Sequence, residues 1–81
     1  MTLKQLKEKT IALGGSIKFP DCVITLPEKL NIKTQAQALD LIDVLIGAWG
    51  TMYNGDMIAF QIYKEDRYFK ALRKYIAKGA A

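Results

Sequence analysis

Between Thr34 and Trp49 the chain reads TQAQALDLIDVLIGAW, a helix-spaced segment with apolar side chains on nearly every side. No other stretch can anchor a core alone. Thr34 and Gln37 have the spacing of a capping box, in which each side chain satisfies a free backbone N–H at the helix start. Ala38, Leu41, Ile42, Leu45 and Trp49 fall on one face, and Leu39, Val44 and Ile46 widen the apolar surface beyond it. Asp40, Asp43 and Gly47, at i, i+3 and i+7, leave a narrow polar seam. A helix this apolar is covered on more than one side, by its own domain or by a second chain. Gly50 is the expected stop.

Chain length sharpens that choice. An 81-residue chain is expected to form one domain, residues 1–81. At this size only roughly 60 to 65% of the unfolded surface is buried, which makes oligomerisation a live option. An apolar fraction of 51% with two prolines describes a folded chain. Cys22 is the only cysteine and there is no histidine, so intramolecular disulfides, cysteine-based zinc sites and the commonest general base are excluded. No cofactor or metal site is expected. Met1 to Lys9 alternates charged and apolar residues, unlike a signal peptide, and the longest apolar run, Val44 to Trp49, is far short of a membrane span. A cytoplasmic protein with no membrane partner is the simplest expectation.

Charge is unevenly placed. Residues 1–33 carry six Lys and three acids, residues 34–63 three Asp and no base, and residues 64–81 six Lys or Arg and two acids. Basic ends flank an acidic middle, and the two attract within a monomer or across a dimer.

In chain order, Thr2 to Leu13 is a first helix. Thr2 and Gln5 repeat the capping spacing, Leu3, Leu6, Thr10 and Leu13 form the inner face, and Gly14-Gly15 ends the helix. Ser16 to Leu26 changes to a strand period with turn chemistry at Pro20-Asp21, a β-hairpin; Pro27 to Lys33 connects it to Thr34. Tyr53-Asn54-Gly55-Asp56 is a strong turn signal. Met57 to Tyr63 alternates as a strand with Ile58, Phe60 and Ile62 on one side. A rival reading runs a helix from Asp56 to Ala77 and makes the protein mostly α-helical with one β-hairpin. The strand is preferred, because Lys64-Glu65-Asp66-Arg67 sets a full turn of charge across the stripe that helix would need. Arg67 to Lys78 is helical either way, with Phe69, Leu72 and Ile76 inward and Tyr68 and Tyr75 beside them. The expected fold class is α+β, in the order α-β-β-α-β-α, with a small antiparallel sheet packed on helices.

Two groups of residues stand out as surfaces. Trp49, Met52, Tyr53 and Met57 surround the Asn54-Gly55 turn, and with Leu45 they form the candidate partner-binding set; Trp, Tyr and Met are enriched at protein interfaces. Large apolar side chains beside a turn are also common in cores. On the last helix, Arg67, Lys70, Lys74 and Lys78 line up at i, i+3, i+7 and i+11, with Arg73 on the same helix. Such a stripe can track a phosphate backbone with tyrosines adding stacking, or it can be a solvated outer face. No zinc-finger spacing, RNP-type motif or GXXG loop accompanies it.

The remaining chemistry is thin. Asp40 and Asp43 share a helical face, a poor cation site by themselves and a natural salt-bridge surface for Lys or Arg of the first or last helix. Glu65-Asp66 places negative charge at a helix start, and Cys22 has no base beside it. Ser16 and the threonines lack a triad partner, and Gly14-Gly15-Ser16 follows a helix, the wrong context for a phosphate loop. The expectation is therefore a non-enzymatic binding protein acting through protein–protein contact, as a homodimer. Its size and composition suit an inhibitor or adaptor of the kind small phage or mobile-element proteins use to block a host factor. Nucleic-acid binding through Arg67, Lys70, Arg73, Lys74 and Lys78 is the alternative, and an anionic nucleotide ligand needs no more than the same basic and aromatic groups.

Overall fold

Both capping boxes form in the computed structural model, which describes residues 1–80. At the first, the Thr2 hydroxyl accepts from the Gln5 N–H and the Gln5 side chain accepts from the Thr2 N–H, starting α1 (Leu3–Ala12). Leu6, Thr10 and Leu13 are buried on its inner face. The helix closes in a Schellman arrangement: Gly14 N–H donates to Ile11 and Gly15 N–H to Thr10, both at 2.9 Å. Next come β1 (Ser16–Lys18) and β2 (Val23–Thr25), antiparallel with Ile17 opposite Ile24.

The central helix, α2 (Gln35–Gly47), ends three residues before the expected stop at Gly50. Its last carbonyls are taken by the segments that follow. The Thr51 hydroxyl donates to Gly47, and the Phe60 N–H donates to Ala48 at 2.7 Å. These bonds satisfy orphan helix-end acceptors and fix the next two elements against α2. Those elements are β3 (Thr51–Tyr53) and β4 (Asp56–Ile58), an antiparallel hairpin in which Met52 faces Met57. Asn54 and Gly55 form its two-residue turn at φ 51° and 86°, the conformation for which Asn-Gly is preferred.

The expected strand from Met57 to Tyr63 forms only in two short pieces, with Ala59, Phe60 and Tyr63 outside both. Its first part is β4, and its second, β5 (Gln61–Ile62), joins a different sheet. Its alternation survives the break, with Phe60 and Ile62 buried and Ile58 packed on the core, so the helical alternative is excluded. The larger sheet has the order β1-β2-β5, and β5 pairs parallel to β2, so the sheet is mixed where an antiparallel one was expected. The chain reaches β5 from β2 through α2, and a helical crossover delivers a parallel strand.

The last helix, α3 (Glu65–Ala80), has Glu65 and Asp66 in its first turn, where the helix dipole favours them. Its deepest residue is Tyr68, 1% exposed, whose hydroxyl lies 2.8 Å from the Leu26 carbonyl and 3.0 Å from that of Pro27. Phe69 and Leu72 pack on the core, but Ile76, expected inward, is 56% exposed. A 16-residue helix is about 24 Å long. From Ile76 to Gly79 every residue is exposed, so the end of α3 runs beyond the core. The result is a small α+β domain of three helices and two small sheets around Leu6, Ile24, Leu41, Val44, Phe60, Ile62 and Tyr68. No helix among the described residues is long and apolar enough to cross a membrane.

Candidate interaction surfaces

The polar seam of α2 faces inward, toward α1. Lys9 reaches Asp43 at 2.9 Å and Asp40 at 3.4 Å, and a side chain built on Gly47 would meet Met1 and Leu6. The Lys9 ammonium is held above its ordinary value, chiefly by its hydrogen bond to Asp43, with burial opposing and Asp40 adding a smaller push. These carboxylates therefore serve as the salt-bridge surface for the first helix that their spacing suggested. They are the only ion pairs among the described residues.

With the seam on α1 and Leu41, Val44 and Leu45 in the core, the remaining face of α2 is apolar and open. Leu39 and Ile46 are exposed, and Trp49 is 77% exposed on the turn that continues the helix. Leu45, Ile46, Trp49 and Phe69 line a cleft of about 220 Å³ between the end of α2 and the first turns of α3, with almost no polar surface in it. Met57 is not part of that lining; its methyl lies over Gly50, the residue after Trp49, 2.8 Å from where a Cβ would stand. Met52 sits opposite Met57 and on the same face of the hairpin.

Two members of the sequence-derived partner set fall elsewhere. Leu45 is 4% exposed and forms the floor of the cleft as a core residue, not a free contact. Tyr53 follows Met52 in β3 and so projects from the opposite face, where it stacks on Phe19 with ring centres 6.4 Å apart. Phe19 also meets Phe60 edge-on at 6.0 Å and carries the Lys7 ammonium 5.6 Å above its ring. Nothing in the alternation of Ile17 and Phe19 marked Phe19 as a surface aromatic; its place depends on a hairpin more than thirty residues away.

The hairpin also has an open edge. Tyr53 and Asp56 close the two-residue turn as a hydrogen-bonded pair, so the backbone groups of Met52 and Met57 point away from each other. Met52 N–H is satisfied by the Met1 carbonyl at 3.0 Å. Among the described residues Met57 has no such neighbour, which leaves β4 an exposed strand edge.

The basic stripe is placed differently from its sequence reading. Arg67, Lys70, Lys74 and Lys78 line one wall of a groove of about 280 Å³, and Leu30, Asn31 and Ile32 form the other. Arg73 is exposed but lies one turn beyond Phe69, on the apolar side of α3 and outside the groove. Tyr68, a sequence candidate for stacking, is buried; Tyr75 is the ring that lines the groove. Cys22 is a half-buried free thiol at φ 56° whose Sγ donates to the Pro20 carbonyl at 3.6 Å. Among the described residues no three His, Cys, Asp or Glu side chains converge. Comparison with protein-family models, with curated proteins and with solved structures gives no match, so function is read from these surfaces alone.

Proposed function

We propose that this chain is a non-enzymatic binding protein of the inhibitor or adaptor type, which acts through protein–protein contact and self-associates as a homodimer. The observation that carries this reading is the orientation of α2: its carboxylates face its own α1, and Leu39, Ile46 and Trp49 face outward. Ordinary amphipathic packing produces the reverse.

The area supports self-association. Leu39, Ile46, Trp49, Met52 and Met57 are exposed by between 43% and 77%. Taken at about 200 Å² for a large side chain, they present roughly 600 Å² of mostly apolar surface, the upper end of what a monomer leaves open. Two copies bury about 1,200 Å² through these residues, the lower end of the range for a specific interface. A two-fold contact suits one patch that must meet itself. The anchor is Trp49, the residue type most enriched among interface hot spots.

Trp49 is also the chain's single tryptophan, which makes the test direct. Light scattering and intrinsic fluorescence are measured over a dilution series. The expected result is a dimer mass at high concentration and a red shift of emission as dilution returns the indole to water. Trp49→Ala and Ile46→Asp are expected to be folded monomers, since both side chains are exposed in the single chain. A wild type that stays monomeric at about 1 mM, with an emission maximum independent of concentration, overturns the homodimer.

A further inference from the structure

The groove beside α3 is a second site, and it does not rest on the contact surface just described. Four cations line it, at 4.5 to 6 Å intervals along the axis, about 16 Å from first to last. Among the described residues no carboxylate lines it and none of the four cations belongs to an ion pair. Like charges at this spacing repel, so the groove is more stable with anions in it. A merely solvated helix face would have water on both sides; here Leu30, Asn31 and Ile32 form an opposing wall that the Tyr68 hydroxyl ties to α3 through Leu26 and Pro27.

The occupant must be a polyanion narrow enough for a groove of about 280 Å³, with flat or apolar parts for Tyr75 and Ile32 to touch. We propose that this groove binds single-stranded nucleic acid, with phosphates on Arg67, Lys70, Lys74 and Lys78 and a base against the ring of Tyr75. The bases of a duplex are stacked on one another, whereas a single strand can follow the row of cations and still turn a base onto Tyr75. An acidic peptide would satisfy the cations but would leave the aromatic ring without a partner. Asn31 offers an amide that both donates and accepts, the chemistry of a base edge. Stacking on one ring tolerates any base, so the site discriminates strandedness more than sequence.

The test is fluorescence anisotropy with a labelled oligothymidylate of about twelve nucleotides, titrated at about 50 and 200 mM salt. Four phosphate contacts predict an affinity that falls about 50-fold between these salts; Lys70→Ala with Lys74→Ala leaves two and reduces the fall to about sevenfold. Tyr75→Leu is expected to weaken binding about fivefold or more at both salts with the same salt dependence, and Tyr75→Phe, which keeps the ring, to bind as wild type. Trp49→Ala is expected to bind as wild type, which separates this site from the dimer surface. Circular dichroism melts establish that each variant is folded. The proposal is overturned by no binding at the lower salt, by a salt dependence unchanged in the double Lys variant, or by Tyr75→Leu binding as wild type. Displacement by polyglutamate at equal charge, or tighter binding of a duplex, also overturns it, in favour of an acidic protein partner or double-stranded nucleic acid respectively.

Discussion

Tyr68→Phe removes one oxygen atom and tests how the connection between β2 and α2 is held. The ring is 1% exposed and would keep its packing, so the change isolates the hydroxyl. That hydroxyl has one proton, shared between the carbonyls of Leu26 and Pro27 at 2.8 and 3.0 Å. Losing a buried hydrogen bond costs about 1 kcal/mol, and stranding an acceptor that water reaches poorly adds a comparable amount, so roughly 2 kcal/mol is expected. For a domain of this length each kcal/mol corresponds to about 4 to 8 °C in Tm, which puts the fall near 8 to 16 °C. The assay is thermal and urea denaturation followed by circular dichroism, with Tyr75→Phe as the control. Tyr75 makes no hydrogen bond to the chain among the described residues, and its variant should lie within about 0.5 kcal/mol of wild type. Because the Leu26 and Pro27 carbonyls begin the connection that forms the far wall of the basic groove, Tyr68→Phe should also speed amide exchange at Leu30 and Ile32. A Tyr68→Phe melt within about 2 °C of wild type would refute the claim that this hydroxyl pins the connection.

Other perturbations probe the joints of the fold. A Cβ at Gly15 would stand 2.5 Å from the Thr25 carbonyl oxygen, a backbone atom that cannot yield without shifting β2, so Gly15→Ala should cost more than about 2 kcal/mol in urea denaturation. Gly50→Ala meets only the flexible end of Met57 and should stay within about 1 kcal/mol. Thr51→Val deletes the buried hydroxyl that caps Gly47 and should lower stability by about 1 to 2 kcal/mol in the same assay. Lys9 titrates above its ordinary 10.5 in the folded chain, so its pairing with Asp43 and Asp40 is fully present below that pH and is lost as pH rises through the raised value. The stability difference between wild type and Lys9→Met should therefore be constant from neutral pH to about 10 and shrink above 10.5; a difference that grows in alkali would contradict the sign.

Local rules made the helix starts legible. Thr2 with Gln5 and Thr34 with Gln37 need only residues three apart, and both boxes are present at their expected positions. Asn54-Gly55 is equally local, since the φ values it adopts are a property of the pair. The pairing of Asp40 and Asp43 with Lys9 was legible as a class of contact, because carboxylates on one face of a helix meet whichever cation packs there. The divided strand was not legible. Ile58, Phe60 and Ile62 keep their period across the break, and what interrupts the strand is the Phe60 N–H donating to Ala48, a bond to the end of another element. The same holds for β5, whose parallel pairing depends on a crossover through α2 and leaves no trace in a two-residue segment. Ile76 shows a third kind of failure: its period is correct for an inner stripe, but the core ends before the helix does.

The last helix explains why a two-way division of its residues into inner and outer failed. A helix that only covers a core has one apolar sector and one polar sector. At 100° per residue α3 has three: Tyr68 and Leu72 toward the core, Phe69 and Ile76 toward the apolar side that continues from Trp49, and Arg67, Lys70, Lys74 and Lys78 along the groove. The outer part of that apolar sector is beyond what folding requires: Phe69 packs on the core, but Ile76 is 56% exposed and costs solubility where it stands. The basic sector is likewise beyond it, because solubility is served by mixed charge, and this groove has one sign only. Two features that a stable monomer does not need, on adjacent sectors of one helix, are what the two proposed partners would account for separately, a protein on one side and an anionic strand on the other. Their independence is what the paired variants measure: Trp49→Ala acts on association and leaves the salt dependence of oligonucleotide binding alone, and Lys70→Ala with Lys74→Ala does the converse. If either variant abolished both properties, the two sectors would have to be one interface, with the dimer itself forming the nucleic-acid site.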